Sequence, residues 1–153
     1  MRLKKIMKTI IPFIGVNEKI LLNYSISTNL YKKGFNNISK IFTYKIYRKY
    51  KCHISQKSFI DKNLFLPHPI SIVIGEGVKI GKNVTIYQNV TLGRKNKDIP
   101  EYPTIEDDVI IYCNSTVIGN VTIGKGAVIG CNSVVLRDVK PGEVVSGIVK
   151  WRC

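Results

Sequence analysis

Two histidines, four cysteines and a loop ending in Glu101-Tyr102 are the residues of this 153-residue chain whose types and spacing could do chemistry. His68 stands between prolines in Leu66-Pro67-His68-Pro69-Ile70-Ser71, and His53 lies one short segment earlier. An imidazole changes charge near neutral pH, which suits it to taking a proton from a reacting hydroxyl. Metal chemistry is not expected. Cys52, Cys113, Cys131 and Cys153 form no Cys-x-x-Cys pair, and two histidines fall short of the roughly three that a histidine zinc site needs.

The elements that must position these residues are read from a period of six. Ile74, Ile80, Ile86 and Leu92, then Ile105, Ile111, Val117, Ile123, Ile129 and Val135, recur on one frame. A second small or branched residue follows four places on, as in Val78, Val84, Val90, Val109, Ser115, Val121, Ala127, Ser133 and Val139. A helix needs a period near 3.6 and a half-buried strand a period of two, so neither fits. Six is the period of a hexapeptide solenoid, a parallel β-helix in which three short faces close each coil. The recurring aliphatic residue should point inward and stack on its counterpart 18 positions away. Cys113 and Cys131 then stack on adjacent coils, where they are expected to line a groove as small residues; in-register strands rarely give disulfide geometry.

The frame breaks twice. Between Leu66 and Ile74 there are two residues too many, and they fall in the bulge that carries His68. From Arg94 to Pro103 a polar loop must leave the prism. Loops on a rigid scaffold are where sites are built, so the two breaks mark one expected site.

Residues 1–51 lack the hexad. From Ser27 to Lys51, apolar and aromatic residues recur at three- and four-residue spacings, which predicts one or two amphipathic helices broken at Gly34. Their apolar face is expected to cap the open first coil. The net charge of +14 is concentrated here: residues 1–57 hold 13 Lys/Arg and one acid, leaving 11 and 9 for the rest. An anionic partner, whether lipid or a phosphorylated ligand, is one account; a chain-wide bias toward Lys, Ile and Asn is the other. Tyr44, Tyr47 and Tyr50 lie among the lysines without a groove-reading motif, so nucleic acid is not expected. The opening Met1-Arg2-Leu3-Lys4-Lys5 and the apolar stretch after it lack a small-x-small cleavage site, and Lys8 and Pro12 interrupt them. No run approaches the roughly 20 apolar residues of a membrane span. The expectation is a cytoplasmic protein, its basic end able to touch the inner membrane face.

Two runs carry a resemblance. His68-Pro69-Ile70-Ser71-Ile72-Val73-Ile74-Gly75 followed by Ile86-Tyr87-Gln88-Asn89-Val90-Thr91-Leu92-Gly93 is similar to the serine O-acetyltransferase branch of the hexapeptide acyltransferases. Ile123-Gly124-Lys125-Gly126-Ala127 and Ile129-Gly130-Cys131-Asn132-Ser133-Val134-Val135-Leu136 resemble it too. The likeness covers residues 52–149. It implies a left-handed parallel β-helix over 52–149, so the chain is expected to be mainly β, with the basic helical segment over 1–51 before that domain and a tail over 150–153 after it. It also implies a homotrimer with acetyl-CoA as cosubstrate, no metal, and sites between neighbouring prisms. In that family the histidine matching His68 is the general base, and the small groove residues that hold CoA match Gly93, Cys113 and Cys131.

Three departures bear on the acceptor. The family aspartate that orients the histidine is His53 here. The Arg-His pair that grips serine is Glu101-Tyr102, an acid where a carboxylate should be held. The long helical domain of the serine enzymes is missing. Short relatives with the Leu-Pro-His-Pro form resemble polysaccharide-modifying enzymes, so the first expectation is a sugar hydroxyl of a surface polysaccharide or its precursor. Serine O-acetylation is the alternative. A non-catalytic trimeric scaffold, suggested by the lost aspartate, is the reading of another class.

Overall fold

The computed structural model describes residues 15–150, so the charged, apolar opening stretch and nearly all of the expected tail lie outside the described residues. Helices α1 (Val16–Lys32) and α2 (Asn36–Tyr50) come first, and fourteen short strands follow, from β1 (His53–Ile54) to β14 (Ile148–Val149). All strand pairs are parallel. They form three sheets: sheet A in the order β1-β3-β6-β9-β12-β14, sheet B from β2, β4, β7 and β10, and sheet C from β5, β8, β11 and β13. Each turn of chain visits A, B and C once, giving the parallel β-helix that the hexads predict, left-handed as the resemblance implies.

Registers show why six works. Ile74 pairs with Leu92, Ile86 with Ile111 and Ile111 with Ile129, so every interior aliphatic residue stacks on its counterpart one coil away. All ten frame residues are at most 4 % exposed, and the second series from Val78 to Val139 at most 6 %. Ser115 and Ser133 manage burial through hydrogen bonds, each hydroxyl donating to the Gly130 carbonyl at 2.8 and 2.6 Å. At the corner from C to A a left-handed residue turns the chain: Asn89, Asn114 and Asn132 at φ 59°, 60° and 56°. Asparagine tolerates this region best among non-glycines. Their amides form a ladder, Asn89 donating to Asn114 at 2.9 Å and Asn114 to Asn132 at 3.1 Å.

The helices cap the first coil, with Ile20, Tyr24 and Ile46 joining the solenoid core. The Asn17 side chain accepts from the Leu66 N–H at 2.9 Å and donates to the Leu64 carbonyl at 3.4 Å, covering backbone groups at the open end. Helix α1 begins at Val16, well before the stretch read as helical from Ser27. Its buried stripe is only Ile20, Tyr24 and Ser27, too narrow and too polar to stand out. Gly34, at φ 84°, breaks the helices as the sequence indicates.

Tyr24 carries a testable share of the capping. Its buried hydroxyl donates to the Ser58 carbonyl at 2.7 Å. Tyr24→Phe strands that carbonyl, and a loss of about 1–3 kcal/mol is expected. Thermal melting would show it as a fall of several degrees with an unchanged folded spectrum.

Candidate active site

The corner from sheet C to sheet A repeats on successive coils, and His68 sits where it is enlarged. Two residues, Tyr87-Gln88, Tyr112-Cys113 or Gly130-Cys131, precede the left-handed asparagine on three coils. On the first coil Phe65 bridges to Thr85, and Ser71 takes the asparagine position with φ 54°. Between Leu66 and Ser71 stand four residues instead of two: Pro67, His68, Pro69 and Ile70. The bulge must point outward because Leu66 and Ile72 are both buried. Prolines on either side fix φ near −65° and limit how far it can flex. The Ile70 N–H closes it onto the His68 carbonyl at 2.8 Å, and the Asn89 N–H ties Ile70 to the coil below at 3.0 Å. The His68 side chain is exposed.

Below His68 runs a column that sequence reading did not single out. Its ring centroid lies 6.2 Å from Tyr87, and Tyr87 stacks on Tyr112 at 5.0 Å with planes 21° apart. Beside them Cys113 and Cys131 occupy equivalent places, the Asn132 N–H donating to the Cys113 carbonyl at 3.0 Å. Both are free thiols, Cys113 half-buried and Cys131 exposed. The Gln88 Oε1 is buried with no donor among the described residues. Such an oxygen costs about 1–3 kcal/mol unless a ligand N–H or O–H reaches it. The signal available in the sequence was the equivalence of Tyr87 with Tyr112, hidden because the polar loop lengthens that coil.

The other predicted residues divide over two edges of sheet A. Gly93 ends β6 at the corner from A to B, and a side chain there would meet nothing within 4 Å. Arg94 opens the exposed loop, which Lys95 and Lys97 make basic. Tyr102 ends it, with its ring against Gly75 and Gly77; a methyl on Gly77 would collide with it. The Arg94 guanidinium lies 6.0 Å from the Tyr102 ring centroid, and Glu101 is exposed. One chain therefore does not bring Gly93, Glu101 or Tyr102 to His68. His53 is exposed on β1, its backbone N–H donating to the Ile72 carbonyl at 2.8 Å, and it lines a cleft against α2. Cys52 is fully buried, and that burial pushes its thiol pKa up, so it is an inert core residue. A groove of about 870 Å³ lies between α1 and sheet B, away from the His68 corner. Among the described residues no group of three His, Cys, Asp or Glu could hold a metal ion, and no helix is long and apolar enough to cross a membrane.

Comparison with known proteins places the chain. The family model for bacterial transferase hexapeptide (six repeats) matches residues 102–137. A serine acetyltransferase of Buchnera aphidicola is 35 % identical over 127 residues, covering 82 % of this chain and 46 % of that protein. The Bacillus subtilis serine acetyltransferase is 35 % identical over 141 residues, covering 85 % and 64 %. The Brucella abortus serine acetyltransferase in complex with coenzyme A superposes with TM-score 0.78 and 27 % identity, over 82 % of this chain and 51 % of that one. The soybean serine acetyltransferase complexed with serine gives TM-score 0.78 and 31 % identity over 82 % and 52 %. The chain thus spans about half to two thirds of the length of the relatives it matches. By its repeat and its fold the chain is a hexapeptide-repeat protein, and the relatives it resembles are acyltransferases of the serine O-acetyltransferase type.

Proposed function

We propose that the chain transfers the acetyl group of acetyl-CoA to a hydroxyl, with His68 as general base. The observation that carries this is the proline-braced bulge that sets an exposed imidazole at the corner that Cys113 and Cys131 share on later coils. The acceptor hydroxyl gives its proton to a ring nitrogen of His68 as its oxygen bonds to the thioester carbonyl carbon. The tetrahedral intermediate then expels CoA as thiolate, which takes the proton back from the imidazolium. Small groove residues suit a pantetheine arm lying close to the backbone, and the unpartnered Gln88 Oε1 suits one of its amide N–H groups. Arg94, Lys95 and Lys97 put cationic charge beside Gly93 for the CoA phosphates.

Two edges of sheet A each hold part of this set, which supports a homotrimer in which the His68 edge of one copy meets the Gly93 edge of the next. The relatives and the serine-bound soybean structure support L-serine as acceptor. The sugar reading draws support from Glu101 and Tyr102, since Tyr102 is folded onto the prism and Glu101 would repel a carboxylate. A sugar hydroxyl is therefore the second reading, and contact of the basic helices with an anionic membrane belongs to it.

Thiol release from acetyl-CoA, measured with L-serine and a panel of sugars in parallel, decides between them. Turnover with serine alone establishes the first reading, turnover with a sugar alone the second, and no turnover with any hydroxyl overturns the enzyme reading. Groove occupancy has its own readout. Iodoacetamide should label Cys131 and then Cys113 while Cys52 stays unmodified, and saturating CoA should slow both groove cysteines several-fold. Equal labelling with and without CoA would remove Cys113 and Cys131 from the binding site.

A further inference from the structure

His53 and α2 enclose a cleft that the mechanism above does not use. It measures about 340 Å³ and is lined by Lys40, Thr43, Tyr44, Tyr47, His53 and Ile54. We propose that this cleft binds an oxyanion, the phosphate or carboxylate of the acceptor, beside the His68 corner; assigning the anion to an acceptor rests on the O-acetyltransferase reading, but the binding itself does not.

The donor set points one way. Lys40 brings an ammonium with three N–H donors, Tyr44 and Tyr47 bring phenol hydroxyls, and His53 brings a ring N–H. None of these four side chains makes a hydrogen bond to another described residue, whereas the Thr43 hydroxyl is committed to the Lys40 carbonyl at 2.9 Å. Tyr44 and Tyr47 line the cleft and are 57 % and 49 % exposed. Helix α2 has Lys40, Lys45, Arg48 and Lys49 and no acid. Glu76 lines the adjoining cleft with Lys40 and His53, and its carboxylate is held by Lys57 at 2.7 Å. An anion here would feel the net positive charge of α2, and charge-assisted hydrogen bonds are about twice as strong as neutral ones. An aspartate at position 53 would repel it; an imidazole donates to it.

The cleft also lies in the right place. His53 pairs with Val73 on β3, and the His68 bulge leads directly into that strand. A group bound at His53 and a hydroxyl presented to His68 would sit along one edge of sheet A. Neither Glu101 nor Tyr102 offers a cation to hold an acceptor's negative charge, so Lys40 and His53 supply the grip.

The test titrates inorganic phosphate, and separately acetate, into the full chain while following the ring C–H resonances of both histidines. Saturable movement of the His53 signals is expected with phosphate, with a smaller response at His68. Lys40→Ala should weaken phosphate about tenfold or more, His53→Asp should abolish the response, and Lys33→Ala should leave it unchanged. Tighter binding of phosphate than acetate would assign a phosphorylated acceptor; equal binding would assign a carboxylate such as that of an amino acid. In turnover, Lys40→Ala should raise the acceptor KM with little change in kcat or in the acetyl-CoA KM. No saturable His53 response, or one unaffected by Lys40→Ala, overturns the subsite even if transfer proceeds. Phosphate binding without any transfer would leave the subsite standing and overturn the acetyltransferase reading.

Discussion

Replacing His68 with alanine is expected to lower kcat for acetyl transfer by about 10²–10⁴-fold, the usual contribution of a positioned general base. Acetyl-CoA binding should change little, because the groove residues Cys113 and Cys131 and the Gly93 edge stay as they are. Folding should also be spared. The imidazole is exposed, and the bulge is closed by the His68 carbonyl, which alanine retains. His68→Asn separates basicity from shape: it keeps the polar side chain but cannot take the proton, so it should be as inactive as alanine. Single-turnover thiol release at saturating acetyl-CoA, with circular dichroism on the same samples, would measure this. A variant that keeps kcat and only raises KM would show that His68 binds the acceptor without activating it. A variant with unchanged kinetics would move the chemistry elsewhere.

The solenoid could be read from the sequence because its rule is local. Each inward position is fixed by the residue six places away, so Ile74 through Val135 declare themselves without knowledge of any distant contact. His68 was legible for a related reason. Two surplus residues in a strict frame must bulge, and prolines on both sides keep that bulge in shape. What stayed hidden depends on contacts that no period announces. Tyr87 and Tyr112 stack because they are one coil apart, yet the Arg94–Pro103 loop makes that coil longer than 18 residues and removes the regular spacing. The oxyanion cleft needs α2 laid against β1, a packing set by Ile46 in the core and Ser39 against Gln56, not by the sequence around His53. The part of helix α1 before Ser27 escaped because Ser27, buried and donating to the Ser39 carbonyl at 2.8 Å, occupies a core position that an apolar residue would have marked. Glu101 and Tyr102 show the opposite case. Their sequence position matched a substrate-gripping pair, but the fold sets Tyr102 on Gly75 and Gly77 at another corner. That corner is not the one that carries His68.

The largest loss of stability should come from Ile111→Ala, at about 2–5 kcal/mol out of the 5–15 typical of a domain. Ile111 is fully buried and stacked between Ile86 and Ile129 in the middle of sheet C. Removing its branched end leaves a void walled by coils on both sides, and parallel strands locked in register cannot close in to fill it. The same truncation near the first coil should cost less. Ile60 is only half-buried, and its single strand neighbour, through Ile80, leaves room to relax. Ile148→Ala, at a side chain 72 % exposed, should stay within about 0.5 kcal/mol. Denaturant unfolding of the three variants would therefore rank Ile111 above Ile60 above Ile148. That order follows from nearest-neighbour stacking, where a central rung is supported from two sides and a terminal one from one. Equal losses at Ile111 and Ile60 would mean that the helices pack on the first coil as tightly as another rung does, making the cap and the solenoid a single cooperative core.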